Sequence, residues 1–213
     1  MGADMKTYMV LAMLAVTSAA AGLAGQEPAK PQTVNPQTLF EAGKYDEALN
    51  AITSQSGEPA PESVYLAGQS YVRLNRSDEA RAQFAKLSAG VDPPTAWSLV
   101  GESATALVDA NNQVAVEKAS RAVEMAPDQF HANYQLGLAQ SAVEQWEPAA
   151  AAFEKATTIN PSFAYAHYYA GLAYSRLRRV DRMATHLEYF LKLAPTAPER
   201  PAVVSLMRSV RGR

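Results

Sequence analysis

Four evenly spaced prolines constrain the fold of this chain more than any other feature. Pro93, Pro127, Pro161 and Pro195 follow one another at a single constant interval. Each proline ends an alanine-rich run, because a residue without a backbone N–H cannot continue the helix before it. The resulting 34-residue period predicts repeated helix–turn–helix units, and no single unit can bury its own apolar face.

Small and large side chains recur at fixed places between these prolines. Gly and Ala allow two helix backbones to approach closely, and the large residues fill the gaps between neighbouring hairpins. The three best-matched units contain Ala67, Gly68, Tyr71, Ala80 and Phe84; then Leu136, Gly137, Ala149, Phe153 and Ala156; then Ala170, Gly171, Tyr174, Leu187 and Phe190. This pattern resembles the tetratricopeptide-repeat family, which carries Leu-Gly and Tyr in its first helix and Ala, Phe and Ala in its second.

The resemblance implies an all-α fold, an α-solenoid of tetratricopeptide-type hairpins closed by a C-terminal capping helix. We expect a partial unit at 36–60, full units at 61–95, 96–129, 130–163 and 164–197, and a capping helix with a basic tail at 198–213. The unit at 96–129 is degenerate. The apolar residues of its first helix, between Ala96 and Asp109, predict a one-residue shift against the frame of the other units.

The N-terminal segment resembles a targeting sequence. Lys6 precedes an apolar run over 8–16, and small residues follow over 18–25, which is the order of regions in a secretory signal. We therefore expect residues 1–24 to be a signal peptide cleaved after Ala21 or Ala24, and residues 25–35 to be a Pro-rich flexible tether. The alternative is an uncleaved membrane anchor. The expected location is the bacterial periplasm or cell envelope.

Composition excludes several classes of function. The 213 residues carry a net charge of −2, with no basic stripe of the kind that nucleic-acid binding needs. The chain has no cysteine, which excludes disulfides, thiolate catalysis and Cys-based zinc sites. Charge is uneven, however, because residues 176–213 hold nine Lys/Arg and three Asp/Glu.

Catalytic and metal-binding motifs are absent from the sequence. His131, His167 and His186 form no H-x-x-x-H or H-E-x-x-H pair, and we assign His167 and His186 to packing positions. The chain has no phosphate loop and no G-x-S-x-G motif. We expect a protein that is not an enzyme and has no cofactor and no metal site.

Binding surfaces follow from the resemblance, since the first helices of the family line a concave groove. Tyr-rich grooves suit extended peptides, although aromatic residues at helical spacing also pack in cores, and Tyr65 and Tyr168 could do either. The predicted groove consists of Tyr65, Gln69, Arg73, Trp97 (or Val100), His131, Tyr134, Leu138, Tyr165, Tyr168, Leu172 and Arg176. The predicted basic end consists of Arg178, Arg179, Arg182, Arg208, Arg211 and Arg213.

The expected function is an envelope adaptor that binds a protein or peptide. Co-chaperone members of the family hold a carboxylate with Lys and Asn, and Tyr65 and Gln69 occupy those places here, so a carboxylate clamp is not expected. Two alternatives are a glycan bound by the aromatic groove and a homo-oligomer in which the basic end meets the acidic body. The basic end could equally be a solvated cap. Membrane contact is expected only through an uncleaved N-terminus.

Overall fold

Helices form the regular structure of residues 35–211, the part of the chain that this computed structural model describes; side chains are described as far as Ser209. The signal peptide, nearly all of the tether and Arg213 lie outside these residues. The helices are α1 (Pro36–Glu41), α2 (Tyr45–Thr53), α3 (Pro61–Arg73), α4 (Ser77–Ala85), α5 (Ala96–Val108), α6 (Asn112–Met125), α7 (Phe130–Ala142), α8 (Trp146–Ile159), α9 (Ala164–Arg176), α10 (Val180–Leu193) and α11 (Arg200–Arg211). None of them is long and apolar enough to cross a membrane.

The helices pack as consecutive antiparallel hairpins, α1 with α2 through α9 with α10. Helices α5, α7 and α9 begin at Ala96, Phe130 and Ala164, which preserves the interval of the prolines. Helix α3 begins at Pro61, one residue earlier than that interval requires. The chain therefore contains one additional residue between the start of α3 and the start of α5. Helix α5 is in register with α7 and α9, so the one-residue shift predicted for the first helix of the degenerate unit, relative to the later units, is wrong.

Close approach of the two helices within a hairpin depends on glycine. A Cβ atom added to Gly137 would lie 2.6 Å from the ring of Phe153, and one added to Gly68 would lie 2.3 Å from the ring of Phe84. Both distances are far below van der Waals contact. In the degenerate unit, Ser103 occupies the position equivalent to Gly137, and its hydroxyl donates to the carbonyl of Ala115 on α6 at 2.8 Å.

The turn inside each hairpin contains one residue in the left-handed backbone region. Asn75, Ala110, Glu144 and Arg178 have φ of 57°, 57°, 60° and 57°, and Gly43 has φ of 77°. The recurrence of this conformation shows that the repeat geometry imposes it, since only glycine adopts it without a steric cost. The sequence pattern does not predict it at Ala110, Glu144 or Arg178.

Helix α11 closes the C-terminal end of the stack. It packs on α10 and buries Val203 and Met207, so the apolar face of the last full hairpin is covered, as a solenoid end requires. The guanidinium of Arg200 donates to the carbonyl of Leu191 at 3.2 Å and fixes the start of the helix. The predicted all-α solenoid with a capping helix is confirmed.

Candidate partner-binding site

The first helices of the hairpins (α1, α3, α5, α7 and α9) contact one another in order and form the inner face of the solenoid. Tyr65, Tyr134 and Tyr165 project from this face, but they are only 2%, 2% and 0% exposed. The prediction of an open groove is therefore wrong for Tyr134 and Tyr165, whereas Tyr65 lines an open pocket at the edge of this face. The inner face curves tightly enough for aromatic side chains of successive units to fill it, as in the Tyr134 and Tyr169 rings, whose centroids are 6.1 Å apart.

Hydrogen bonds link several of the polar side chains that this packing buries. The Tyr65 hydroxyl donates to Oε1 of Gln135 at 2.7 Å and accepts from Nε2 of Gln69 at 3.0 Å. Nε2 of Gln135 then donates to the Ser103 hydroxyl at 3.1 Å. The three full units at 61–163 are thus joined by a polar chain through their interior. Burial raises the pKa of Tyr65, so its phenol stays protonated.

A second network joins the first full unit to the segment before α11. Nη1 of Arg73 lies 2.6 Å from Oε1 of Glu199, and the Tyr165 hydroxyl donates to the other carboxylate oxygen at 2.8 Å. Nη2 of Arg73 donates to the Tyr169 hydroxyl at 3.2 Å, and its guanidinium lies 4.5 Å from the centre of the Tyr165 ring. Arg73, predicted to contact a partner, is therefore engaged within the chain.

The short helix α1 packs against α9, although the two are far apart in sequence. The rings of Phe40 and Tyr165 meet edge to face with centroids 5.3 Å apart. Oε1 of Glu41 accepts the backbone N–H of Ala164 at 2.8 Å, so a side chain from α1 caps the N-terminus of α9. Burial raises the pKa of Glu41. The partial unit thus fills the inner face opposite the last hairpin.

An open pocket remains at the edge of the inner face where α1, α3 and α7 begin. We name this 260 Å³ cavity the mouth pocket. Its floor is aromatic, its rim carries uncharged amide and hydroxyl groups, and Glu62 is the one charged residue among those lining it. The lining residues are Asn35, Pro36, Gln37, Gln55, Glu62, Ser63, Tyr65, Leu66, Gln69, Phe130, His131, Asn160 and Phe163.

His131 lies at the wall of the mouth pocket within an aromatic cluster. Its ring centroid is 4.6 Å from that of Trp97, 5.2 Å from that of Tyr65 and 4.9 Å from that of Phe130. Burial lowers the pKa of His131 to about 4, so the imidazole is neutral at physiological pH. It can offer a ring face and a hydrogen bond to a ligand, but no charge.

The remaining residues predicted for the groove lie in the lining of the mouth pocket, in the core or on the protein surface. Gln69 and His131 line the mouth pocket, whereas Val100 is fully buried. Arg176 is exposed and lies over the Trp146 ring at 5.3 Å. The partly exposed residues outside the mouth pocket are Trp97, Leu138, Tyr168 and Leu172.

The basic end is a solvent-facing surface around the last hairpin turn and α11. Arg178, Arg179, Arg182 and Arg208 are exposed. Arg182 forms an ion pair with Glu154 on α8, so its charge is partly compensated. The side chains of Arg211 and Arg213 lie outside the described residues.

Sequence reasoning missed two carboxylates and one histidine pair. Glu41 and Glu199 bind Ala164 and Arg73, which are distant in sequence, and no local pattern marks such contacts. His167 and His186 meet across the last hairpin although they lie on different helices.

A stack of short helical hairpins with a pocket on its inner face defines a helical-repeat binding scaffold. The family model described as "Tetratricopeptide repeat" matches residues 37–90 and 134–198, more than half of the chain. The protein belongs to the tetratricopeptide-repeat (TPR) family. Members of this family bind protein or peptide partners and are generally non-catalytic.

The chain is similar to several solved structures. TTC0263, a thermophilic TPR protein from Thermus thermophilus, is 18% identical over 80% of this chain and 94% of its own, with a TM-score of 0.57. YrrB, described as a TPR protein with an unusual peptide-binding site, is 23% identical over 75% and 83%, with a TM-score of 0.47. MamA from Desulfovibrio magneticus RS-1 is 25% identical over 76% and 90%, with a TM-score of 0.44. No curated protein matches the chain.

Proposed function

We propose that this protein is a non-catalytic adaptor of the bacterial cell envelope that binds a segment of a partner protein at the mouth pocket. Membership of the TPR family supports the binding of a protein or peptide. The n-, h- and c-region order of residues 1–24 supports export. An exported protein with a repeat scaffold fits an adaptor role, since such a scaffold supplies a binding surface without catalytic groups.

The mouth pocket is the observation that carries this proposal. Its 260 Å³ is below the roughly 300–1,000 Å³ of typical small-molecule sites, and it suits one or two side chains of a peptide. Phe130, Phe163 and Tyr65 supply an apolar floor for such an anchor. Gln37 and Gln69 at the rim can each donate to and accept from the backbone of an extended peptide.

The glycan alternative loses its support with the burial of the groove. It depended on Tyr134 and Tyr165 as stacking platforms for sugar rings, and these side chains are 2% and 0% exposed. Rings without an accessible face cannot stack on a ligand. A peptide anchored at the mouth pocket needs neither of them.

A pull-down with a blocked pocket tests the binding proposal. Ser63 is partly exposed on α3 and lines the mouth pocket, so Ser63→Trp should fill the cavity without changing the core. Ser120 is partly exposed on α6 away from the pocket, and Ser120→Trp is the matched control. We expect envelope proteins captured by the wild type and by Ser120→Trp to be lost with Ser63→Trp. Equal capture by both variants would reject the mouth pocket as the binding site.

Cell fractionation tests the envelope location separately. A C-terminally tagged full chain should be found in the periplasmic or envelope fraction, and the N-terminal sequence of the mature protein should begin after Ala21 or Ala24. An intact N-terminus in the membrane fraction would support the anchored alternative. Recovery of the full-length chain from the cytoplasm would contradict export.

A further inference from the structure

Two of the three histidines meet across the last full hairpin, away from the mouth pocket. His167 lies on α9 and His186 on α10, and their Nδ1 atoms are 3.3 Å apart. His167 is 6% exposed, and the side chain of His186 is 12% exposed, which leaves a path to solvent. The exposed Tyr189 stacks on the His167 ring with centroids 5.0 Å apart.

The outer nitrogen of His167 is a hydrogen-bond donor. Nε2 lies 3.1 Å from the carbonyl oxygen of Pro161, which can only accept. Asn133 occupies the same position one repeat earlier, and its Nδ2 donates to the carbonyl of Pro127 at 2.9 Å. The repeat therefore requires a donor here. With its proton on Nε2, neutral His167 directs a bare Nδ1 lone pair at His186.

The outer nitrogen of His186 faces a carboxylate. Nε2 lies 3.8 Å from Oε1 of Glu154, which also pairs with Arg182. In the neutral pair, Nδ1–H of His186 can donate to Nδ1 of His167. A cation bound between the rings takes the place of that proton, which moves to Nε2 of the same ring, on the side that faces the Glu154 carboxylate. No proton is lost in this tautomer change.

The spacing matches that of two ligands on one metal ion. Zn–N bonds of about 2.0–2.1 Å at a tetrahedral angle place two imidazole nitrogens about 3.3–3.4 Å apart. We propose that His167 and His186 form a two-histidine site for a divalent transition-metal ion, with Zn²⁺ the best fit. The Pro161 carbonyl accepts from the outer nitrogen of His167, and the Glu154 carboxylate lies near that of His186; carbonyl and carboxylate groups are the usual outer partners of metal-ligating histidines. This inference is independent of partner binding at the mouth pocket.

Water or a partner side chain must complete the coordination. Among residues 35–211, no group of three or more His, Cys, Asp or Glu residues is placed to hold a metal ion. The site therefore has two protein ligands and open positions, so its affinity should be lower than that of a site with four protein ligands. Burial lowers the pKa of both His167 and His186, so both rings are neutral and able to ligate at pH 7.

Calorimetric titration of the untagged full chain with ZnCl₂ tests this proposal. We expect one Zn²⁺ per chain and no binding of MgCl₂, because Mg²⁺ prefers oxygen ligands. The preceding repeat supplies fold-compatible variants, since Asn133 and Ala152 occupy the positions equivalent to the two histidines. His167→Asn and His186→Ala should each weaken Zn²⁺ binding at least tenfold. The control His131→Gln should leave it unchanged.

Glu154 tests the role of the outer partner. Glu154→Gln removes the carboxylate behind His186 and should weaken Zn²⁺ binding about tenfold. Arg182→Met breaks the same ion pair but keeps the carboxylate, so it should bind Zn²⁺ as the wild type does. Equal losses in the two variants would contradict a positioning role for Glu154.

Histidine ring signals in NMR spectra test the site in the wild-type protein, so this measurement does not depend on the folding of any variant. Zn²⁺ should shift the resonances of two histidines and leave the third, His131, unchanged. Absence of Zn²⁺ binding by the wild type would overturn the proposal. Wild-type affinity in a folded double variant, His167→Asn with His186→Ala, would overturn it equally.

Discussion

The Arg73–Glu199 ion pair should contribute strongly to stability, because it joins the first full unit to the end of the solenoid. Arg73→Met removes the guanidinium while the methionine keeps much of the apolar packing of the arginine stem. The substitution deletes the contact to Glu199 at 2.6 Å, the hydrogen bond to Tyr169 at 3.2 Å and the cation–π contact with Tyr165. It also leaves the Glu199 carboxylate with the Tyr165 hydroxyl alone.

The size of the effect follows from the burial of the pair. Removing one partner of a fully buried ion pair costs about 3–5 kcal/mol. The side chains of Arg73 and Glu199 remain 22% and 15% exposed, so solvent screening reduces this to about 2 kcal/mol. The lost cation–π contact adds about 1 kcal/mol. We expect Arg73→Met to lower the free energy of unfolding by about 3 kcal/mol.

Urea denaturation followed by circular dichroism measures this change, with Arg81→Met as the matched control. Arg81 contacts Asp109 at 2.6 Å, but the two side chains are 39% and 35% exposed, so its loss should have little effect on stability. A double-mutant cycle with Glu199→Gln should give a coupling energy of about 1–2 kcal/mol. A coupling energy near zero, or equal losses in Arg73→Met and Arg81→Met, would refute the reasoning.

Three further predictions concern the hairpins and the mouth pocket. Gly137→Ala should lower the free energy of unfolding by about 1–3 kcal/mol, because its Cβ would overlap the ring of Phe153, and thermal denaturation checks this. Ala110→Gly should raise stability by about 0.5–1 kcal/mol in the same assay, since φ of 57° strains alanine; an unchanged midpoint would contradict this. Burial lowers the pKa of His131 from 6.5 to about 4, so the unfolded chain takes up the proton first as pH falls. The unfolding free energy should therefore fall by about 1–2 kcal/mol between pH 7 and 5, and His131→Gln, tested by urea denaturation at both values, should lose this part of the dependence.

The hairpin fold could be predicted from the sequence because its determinants are local and repeated. Pro161 lies just beyond the last residue of α8, and Gly137 meets Phe153 within one hairpin, as the spacing indicates. The sequence pattern gives the wrong register for α5, because the degenerate unit has Ser103 where the other units have glycine. A serine that donates to a backbone carbonyl replaces the close contact, and apolar patterning cannot reveal this.

The candidate site was harder to predict because it depends on how tightly the solenoid curves. Residues of one helix face, such as Tyr65 and Tyr165, point to the inner side of the solenoid whether it curves loosely or tightly. The tightness of the curve decides whether their side chains are exposed or buried. Contacts such as Phe40 with Tyr165, between residues far apart in sequence, cover these side chains. His131 lies in the first turn of α7, at the edge where the mouth pocket remains open.

The contact between the first hairpin and α9 changes how this chain should unfold. In a linear repeat array each unit touches only its neighbours, so the ends can fray one unit at a time. Here Glu41 caps a helix that belongs to the last full hairpin. Losing either end removes stabilising contacts from the other, and the contact order is higher than a simple array would have. We expect a single cooperative unfolding transition and slower folding than in an open array of the same length.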